Sequence, residues 1–215
     1  MPKVTDEYIA DKKSYILKCT GEILKEKPLY LVTMRDIIKK AGFSHGIIYH
    51  YYANIDEIYV NYINKNTPDN LLELNIDTLL NSERAEKEVL SECIVAIGDY
   101  IEELLKSIGG KTCFELTVFY AYDFEKRATV FPKLKYKQSL EYAQTKIAEY
   151  ILAGVESGVF HPQIPIRSII LFASSFIDGI AQSVATGTAE GDDGLVDISI
   201  MFQTLAKAII GFLVD

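Results

Sequence analysis

Between Thr33 and Asn54 the chain reads TMRDIIKKAGFSHGIIYHYYAN, and no other stretch narrows the possible folds as far. Thr33 with Asp36 is the pairing of a side-chain cap and an acid three residues on that starts a helix. Ile37, Ile38 and Ala41 give this helix one apolar face. Gly42 falls where it must stop, a position that favours a residue tolerant of positive φ. Ser44 can then cap a second short helix. The outward positions of that helix are not the Lys and Glu of an ordinary solvated surface. They are His45, Gly46, Tyr49, His50 and Tyr51, small, aromatic and hydrogen-bonding groups suited to a groove. Two short helices joined this way form a helix-turn-helix whose second member is most simply read as a DNA-reading element.

With its flanks, the stretch resembles the tetracycline-repressor (TetR) family of bacterial regulators. A first helix, expected over about Asp11 to Lys27, carries Ile16, Cys19, Ile23 and Leu24 at helical spacing, and Pro28 breaks it. The run IIYHYYANIDEIY is similar to the family's stretch of glycine, a small residue, an aliphatic, Tyr, any residue, Tyr or His, and Phe, followed by a capped fourth helix. The resemblance extends to about Asn66; beyond it the chain matches only in its all-helical character. It implies an all-α fold. Residues 1–53 would form the helix-turn-helix DNA-binding domain, and 54–215 a larger helical domain for ligand binding and dimerisation.

The resemblance also implies roles for particular residues. Thr33 and Arg35 open the first helix of the motif, where free N–H groups and a cation can hold phosphate. Tyr49 and Tyr51 align with family positions that touch the DNA backbone. Ser44, His45, Gly46, Ile47 and His50 begin or line the helix that the family inserts into the major groove. His45 can donate to guanine or accept from an exocyclic amine, Gly46 permits close approach, and Ile47 suits a thymine methyl. Lys12 and Lys13 are candidates for further phosphate contacts. Ile48 and Tyr52 read as core. The chain departs from the family at Ile55, where Lys is frequent, and at Ile47, where Thr is. One Lys fewer should flatten the salt dependence of DNA binding by roughly one unit.

The net charge of −8 suits a DNA binder only once it is divided. Residues 1–66 hold ten Lys and Arg against eight Asp and Glu, whereas residues 67–215 hold twelve against twenty-two. A near-neutral head can approach phosphate while an acidic body stays off the duplex. Cys19, Cys93 and Cys113 have no metal-ligand spacing and fall on apolar faces, as buried free thiols do. The polar N-terminus does not read as a signal peptide, and no apolar run of about 18 residues marks a membrane span. A cytoplasmic location follows as an expectation.

Downstream the pattern is helical. Helices are expected from Asn54 to Asn66, from Thr67-Pro68-Asp69 onward, and from Ser82 to Ser107. Others are expected from Thr112 to Arg127, from Pro132 to Ser157, from Pro165 to Thr186, and from Leu195 to Val214, with GTAEGDDG (187–194) as a loop. The last two are apolar around more than one face, so each is expected to bury two sides. The resemblance implies that they pair with a second subunit, making Phe176, Ile177, Ile180, Met201, Leu205, Ala208 and Phe212 candidate interface residues. The body is rich in aromatics, and an effector site is expected among Tyr100, Phe114, Thr117, Val118, Ala121, Phe172 and Phe176, although any single aromatic reads first as core.

No enzyme constellation is present. GGKT (109–112) lacks the upstream Gly of a phosphate-binding loop, since residue 105 is Leu. His45 and His50 lie about 140° apart on a helix, too far round to share a metal. No cofactor or metal is expected. The partners implied are an operator duplex, a small-molecule effector and a second copy of the chain, without a membrane. The competing reading is a helical protein-interaction module that does not read DNA.

Overall fold

The computed structural model describes residues 5–68, 71–188, 190–191, 194–195 and 197–214. The N-terminal head is three helices, α1 (Asp6–Glu26), α2 (Met34–Ala41) and α3 (His45–Tyr51). Each begins on a side-chain cap. Thr5 accepts from Tyr8 N, Thr33 and Asp36 make a reciprocal capping box, and Ser44 accepts from Ile47 N. Gly42 ends α2 in the left-handed region at φ 67°, as its position predicts. Ile16, Ile37 and Ile48, all fully buried, bring the apolar stripes of the three helices together.

Helix α4 (Ile55–Asn66) starts on Asn54, which accepts from Glu57 N, while Glu57 accepts in return from Ala53 N at 2.8 Å. It packs on α1 through Tyr62, whose ring approaches Gly21 so closely that a Cβ there would lie 2.8 Å away. Tyr59 is buried and donates its hydroxyl to Leu29 O at 3.0 Å, stitching the turn after α1 onto α4. Burial raises the pKa of this hydroxyl. A buried phenol with a bonded tip fills space without leaving a polar group unpaired.

The remaining helices are α5 (Leu72–Leu80), α6 (Glu86–Lys106), α7 (Gly110–Tyr120), α8 (Phe124–Thr129), α9 (Lys135–Glu156), α10 (Ile166–Ala185) and α11 (Ile198–Leu213). The fold is all-α, with one two-residue antiparallel pairing, Glu190–Gly191 with Gly194–Leu195. The predicted stripe Val89, Cys93, Ile97, Tyr100, Ile101 and Leu104 is buried along α6. Gly98 lets α11 lie close, because an added Cβ would meet the Phe202 ring at 2.5 Å.

Several boundaries differ from the sequence reading. The helix expected from Thr67-Pro68 starts only at Leu72, and Asp69 lies outside the described residues. The expected Thr112–Arg127 helix breaks at Ala121–Asp123, because Asp123 caps a new start by accepting from Lys126 N. The last helix begins at Ile198, where Asp197 caps it; Leu195 belongs to the short pairing. Ala189, Asp192 and Asp193 of the expected loop, and Val196, lie outside the described residues. One helix comes near the limit set for an apolar span. α10 is long and apolar enough by length and composition to cross a membrane, although Arg167 and Asp178 interrupt it and little of it is buried within this chain. A helix with an apolar face left open passes the same test.

Candidate DNA-reading head and effector cavity

α3 is a surface element fixed from beneath. Ile48 has no exposure, and Tyr52, just after the helix, is buried with its hydroxyl directed at Lys13 O. Burial pushes the Tyr52 hydroxyl pKa up to about 12. With these two anchored, Ser44, His45, Gly46, Ile47, Tyr49 and His50 all face outward, and Tyr51 is half-buried. His45 stacks on Tyr49 with ring centroids 4.4 Å apart, one turn along the same face. A Cβ added to Gly46 would meet nothing within 4 Å. Thr33 and Arg35 are exposed at the start of α2. Lys12 sits over the rings of Tyr8 and Phe43, at 5.1 and 5.3 Å, and Lys13 lies 5.2 Å from the Tyr52 ring. Apart from Tyr51, the sequence-predicted reading residues are therefore exposed, and the two assigned to the core, Ile48 and Tyr52, are buried.

The charges behind this face are paired. Lys27 binds Asp36 at 2.6 Å; this bond and those from Thr33 lower the Asp36 carboxyl pKa to about 2. The capping box thus holds an ionised acid at neutral pH, where it also complements the α2 dipole.

The head is tied to the body through both ends of α4, and no sequence signal announced the ties. Near its start, Asp56 accepts from the Tyr120 hydroxyl and pairs with Lys126 of α8. The Asp56 side chain is only 15% exposed. Its carboxylate raises the Lys126 pKa, and burial followed by the same carboxylate raises that of Tyr120. Near the other end, Asn64 donates to Lys133 O at 2.7 Å and accepts from Lys135 N at 2.9 Å, clamping the entry to α9. Glu115 of α7 accepts from Leu29 N at 3.1 Å, a third tie. Local reading saw Asp56 only as an acid in a first turn; its partners lie more than sixty residues away.

In the body, an apolar cavity of about 110 Å³ opens between α6, α9, α10 and α11. Ile94, Ile97, Ile147, Ile169 and Phe202 are among its walls, and Gln144 and Ser174 are its polar contributors. None of the predicted effector residues lines it. Tyr100 and Phe114 are buried, and Thr117 bonds Tyr136 Oη at 2.6 Å. Val118 and Phe176 are half-buried, and Ala121 and Phe172 are exposed. Periodicity identifies a helix's inward face but not which helices leave a void between them. The Ile147 and Ile151 stripe of α9 is the sequence signal that points there.

The predicted interface residues also divide. Phe176, Ile177, Met201, Ala208 and Phe212 are half-buried on α10 and α11, with Phe176 edge-on to Phe202. Ile180 and Leu205 are 4% and 3% exposed and pack inside the chain. The apolar side chains left outward are Ile170, Leu171, Phe172 and Ile200.

An all-α fold that presents a capped helix-turn-helix on a larger helical body is the architecture of a DNA-binding transcriptional regulator. Residues 16–61 match the family described as bacterial regulatory proteins, tetR family. A Bacillus subtilis (strain 168) protein described as an uncharacterized HTH-type transcriptional regulator, YfiR, is 25% identical over 186 residues, covering 85% of this chain and 84% of that one. Among solved structures, the Bacillus subtilis regulator FadR in complex with stearoyl-CoA has a TM-score of 0.54 at 16% identity, with 92% and 97% of the two chains covered. The ketosteroid regulator KstR2 of Mycobacterium tuberculosis gives 0.53 at 18%, covering 94% and 95%. Over residues 16–61, the head and the start of α4, the chain is thus similar to the tetR family of bacterial regulatory proteins.

Proposed function

We propose that the protein is a ligand-responsive repressor that binds a (pseudo)palindromic operator as a homodimer and is released by a small molecule. Residues 1–53 would act as the DNA-binding domain and 54–215 as the ligand-binding and dimerisation domain, in the cytoplasm. The observation that carries the reading is the exposed face of α3, anchored by Ile48 and Tyr52. On that face His45, Gly46, Ile47 and His50 meet base edges. Thr33, Arg35, Tyr49 and Tyr51 hold phosphates, and Ser44 caps the helix. Phosphate contacts set orientation and base contacts set sequence.

A second copy would cover the outward apolar side chains of α10 and α11. Two copies of α3 must then lie about 34–36 Å apart to enter successive major grooves on one face of the duplex. The apolar cavity is the proposed effector site, in place of the residues around Phe114 and Thr117. Its walls select an apolar group, and the solved neighbours of this fold include one bound to stearoyl-CoA. An effector that widens the α9–α10 gap moves α9, and α9 is clamped to α4 through Asn64. The effector must favour the released shape; equal affinity for both shapes would shift nothing.

Footprinting on the protein's own upstream DNA, with sedimentation of the free protein, tests this. Two protected half-sites one helical turn apart and a dimer in solution are expected. A dimer that protects no DNA would favour the interaction-module reading.

A further inference from the structure

The cavity among α6, α9, α10 and α11 has a floor and a rim of different chemistry. Ile94 and Ile97 of α6 and Phe202 and Leu205 of α11, all buried, form the floor. The rim lies between α9 and α10, where Gln144 and Ile170 are exposed and Ala148 and Ser174 are half-buried. An occupant therefore enters through the α9–α10 gap and meets hydrocarbon at depth.

Charge is excluded first. Among the described residues, no Asp, Glu, Lys, Arg or His side chain lines the cavity. A carboxylate or phosphate inside would lose its water and meet no cation, and burying such a charge unpaired is costly. The polar side chains on the walls are those of Gln144 and Ser174. Ser174 already donates its hydroxyl to Leu171 O at 3.1 Å, which leaves it an acceptor. The Gln144 amide can both donate and accept. Together they suit one uncharged hydroxyl or carbonyl group at the rim.

Size narrows the class further. The void is about 110 Å³. An apolar cavity of about 150 Å³ lined by Leu, Ile and Phe takes a benzene ring. A six-membered ring thus slightly exceeds the space at rest, while a long acyl chain exceeds it severalfold. The floor cannot supply the difference. Phe202 is wedged against Gly98, where an added Cβ would lie 2.5 Å from its ring, and it stands edge-on to Phe176 at 5.5 Å. The wall that yields is the α9–α10 gap, with the small side chains of Ala148 and Ser174 at its rim.

We propose that this cavity takes a small uncharged molecule, one hydrocarbon ring or its size equivalent bearing a single hydroxyl or carbonyl group. The ring lies on Ile97 and Phe202, and the polar group meets Gln144 and Ser174. That this molecule acts as the effector rests on the cavity being the effector site; its chemistry follows from the walls alone.

Three probes that share a ring and differ in their heads test the assignment: toluene, benzyl alcohol and benzoate. Each is titrated by calorimetry into the intact protein and into Gln144→Leu and Ala148→Leu. Benzyl alcohol should bind tightest, at one saturable site per chain. Toluene should bind about fivefold more weakly, for want of one hydrogen bond. Benzoate should bind at least about tenfold more weakly than toluene. Gln144→Leu, at an exposed position, should bring benzyl alcohol down to the toluene level and leave toluene unchanged. Ala148→Leu fills the rim and should abolish binding of both neutral rings, with its fold checked by the thermal midpoint. Benzoate binding as tightly as benzyl alcohol, or no saturable binding of either neutral ring, overturns the proposal. So does ring binding that both substitutions leave unchanged. Anisotropy on the upstream DNA separates this chemistry from the effector role. Release by benzyl alcohol supports both. Saturable binding without release supports the chemistry and removes the cavity as effector site. Release by benzoate, with neither neutral ring active, keeps an effector and overturns the chemistry.

Discussion

Two glycines on helices, one in the head and one in the body, show how differently the two regions are built. Gly46 lies on the exposed face of α3 with nothing near it, while Gly98 of α6 is crowded by Phe202 of α11. The head leaves space for something outside the chain, and its own helices are settled by caps and paired charges. The body spends its glycine on internal contact, yet still retains a cavity of about 110 Å³ and an uncovered apolar face. A reading surface needs one geometry, fixed locally. A sensing body needs packing that can be rearranged, and long apolar helices around a void supply it.

Matched truncations should expose that difference most strongly. Ile37→Ala, at a fully buried head position, is expected to cost about 2–4 kcal/mol in denaturant unfolding. Ile177→Ala, at a half-buried position beside the cavity, should cost less than about 1.5 kcal/mol. Similar costs for both would mean the body is as tightly specified as the head.

The glycines themselves should respond in opposite directions. Gly98→Ala forces Phe202 aside and should destabilise the fold by about 1–3 kcal/mol. Gly46→Ala should leave thermal stability unchanged or raise it by about 0.5–1 kcal/mol. The same substitution should weaken operator binding about tenfold, because the methyl group intrudes where a base edge approaches. Stability and affinity moving together in Gly46→Ala would remove the case for an open reading face.

The ties between the two regions come next. Lys126→Ala leaves Asp56 mostly buried with Tyr120 as its remaining hydrogen-bond donor, which should cost about 1–2 kcal/mol. It should also raise hydrogen exchange at the first turn of α4. An exchange profile unchanged there would show that Asp56 does not hold the helix to the body.

The smallest expected effect concerns pH. The Asp36 carboxyl has a folded-state pKa of about 2, below its ordinary value of 3.8. Its contribution is therefore fully present above about pH 4 and lost as pH falls towards 2. Asp36→Asn should be less stable than wild type at neutral pH, with the gap closing across that acidic window. A gap independent of pH would mean that the carboxylate's charge contributes nothing.

Legibility in the sequence follows the same division. Caps at Thr33, Ser44, Asn54 and Asp36, the turn at Gly42 and the buried pair Ile48 and Tyr52 are local, and all were readable. The stripe of α6 was readable because its spacing repeats. What escaped were relations between distant elements: Asp56 with Lys126, Asn64 with Lys133, and the void among α6, α9, α10 and α11. Ile180 and Leu205 were assigned outward because both faces of their helices are apolar, and periodicity cannot say which face the chain buries itself. The split between α7 and α8 depended on a cap at Asp123 inside an otherwise helical pattern.

The most direct test of the central claim is fluorescence anisotropy of the protein on its own upstream intergenic DNA and on scrambled DNA, between about 50 and 200 mM salt. Wild type should prefer the upstream DNA throughout this range, and Tyr49→Ala and His50→Ala should lose that preference while remaining folded. Equal affinity for both DNAs, or a preference that survives both substitutions, would contradict the assignment of α3 as the element that reads sequence.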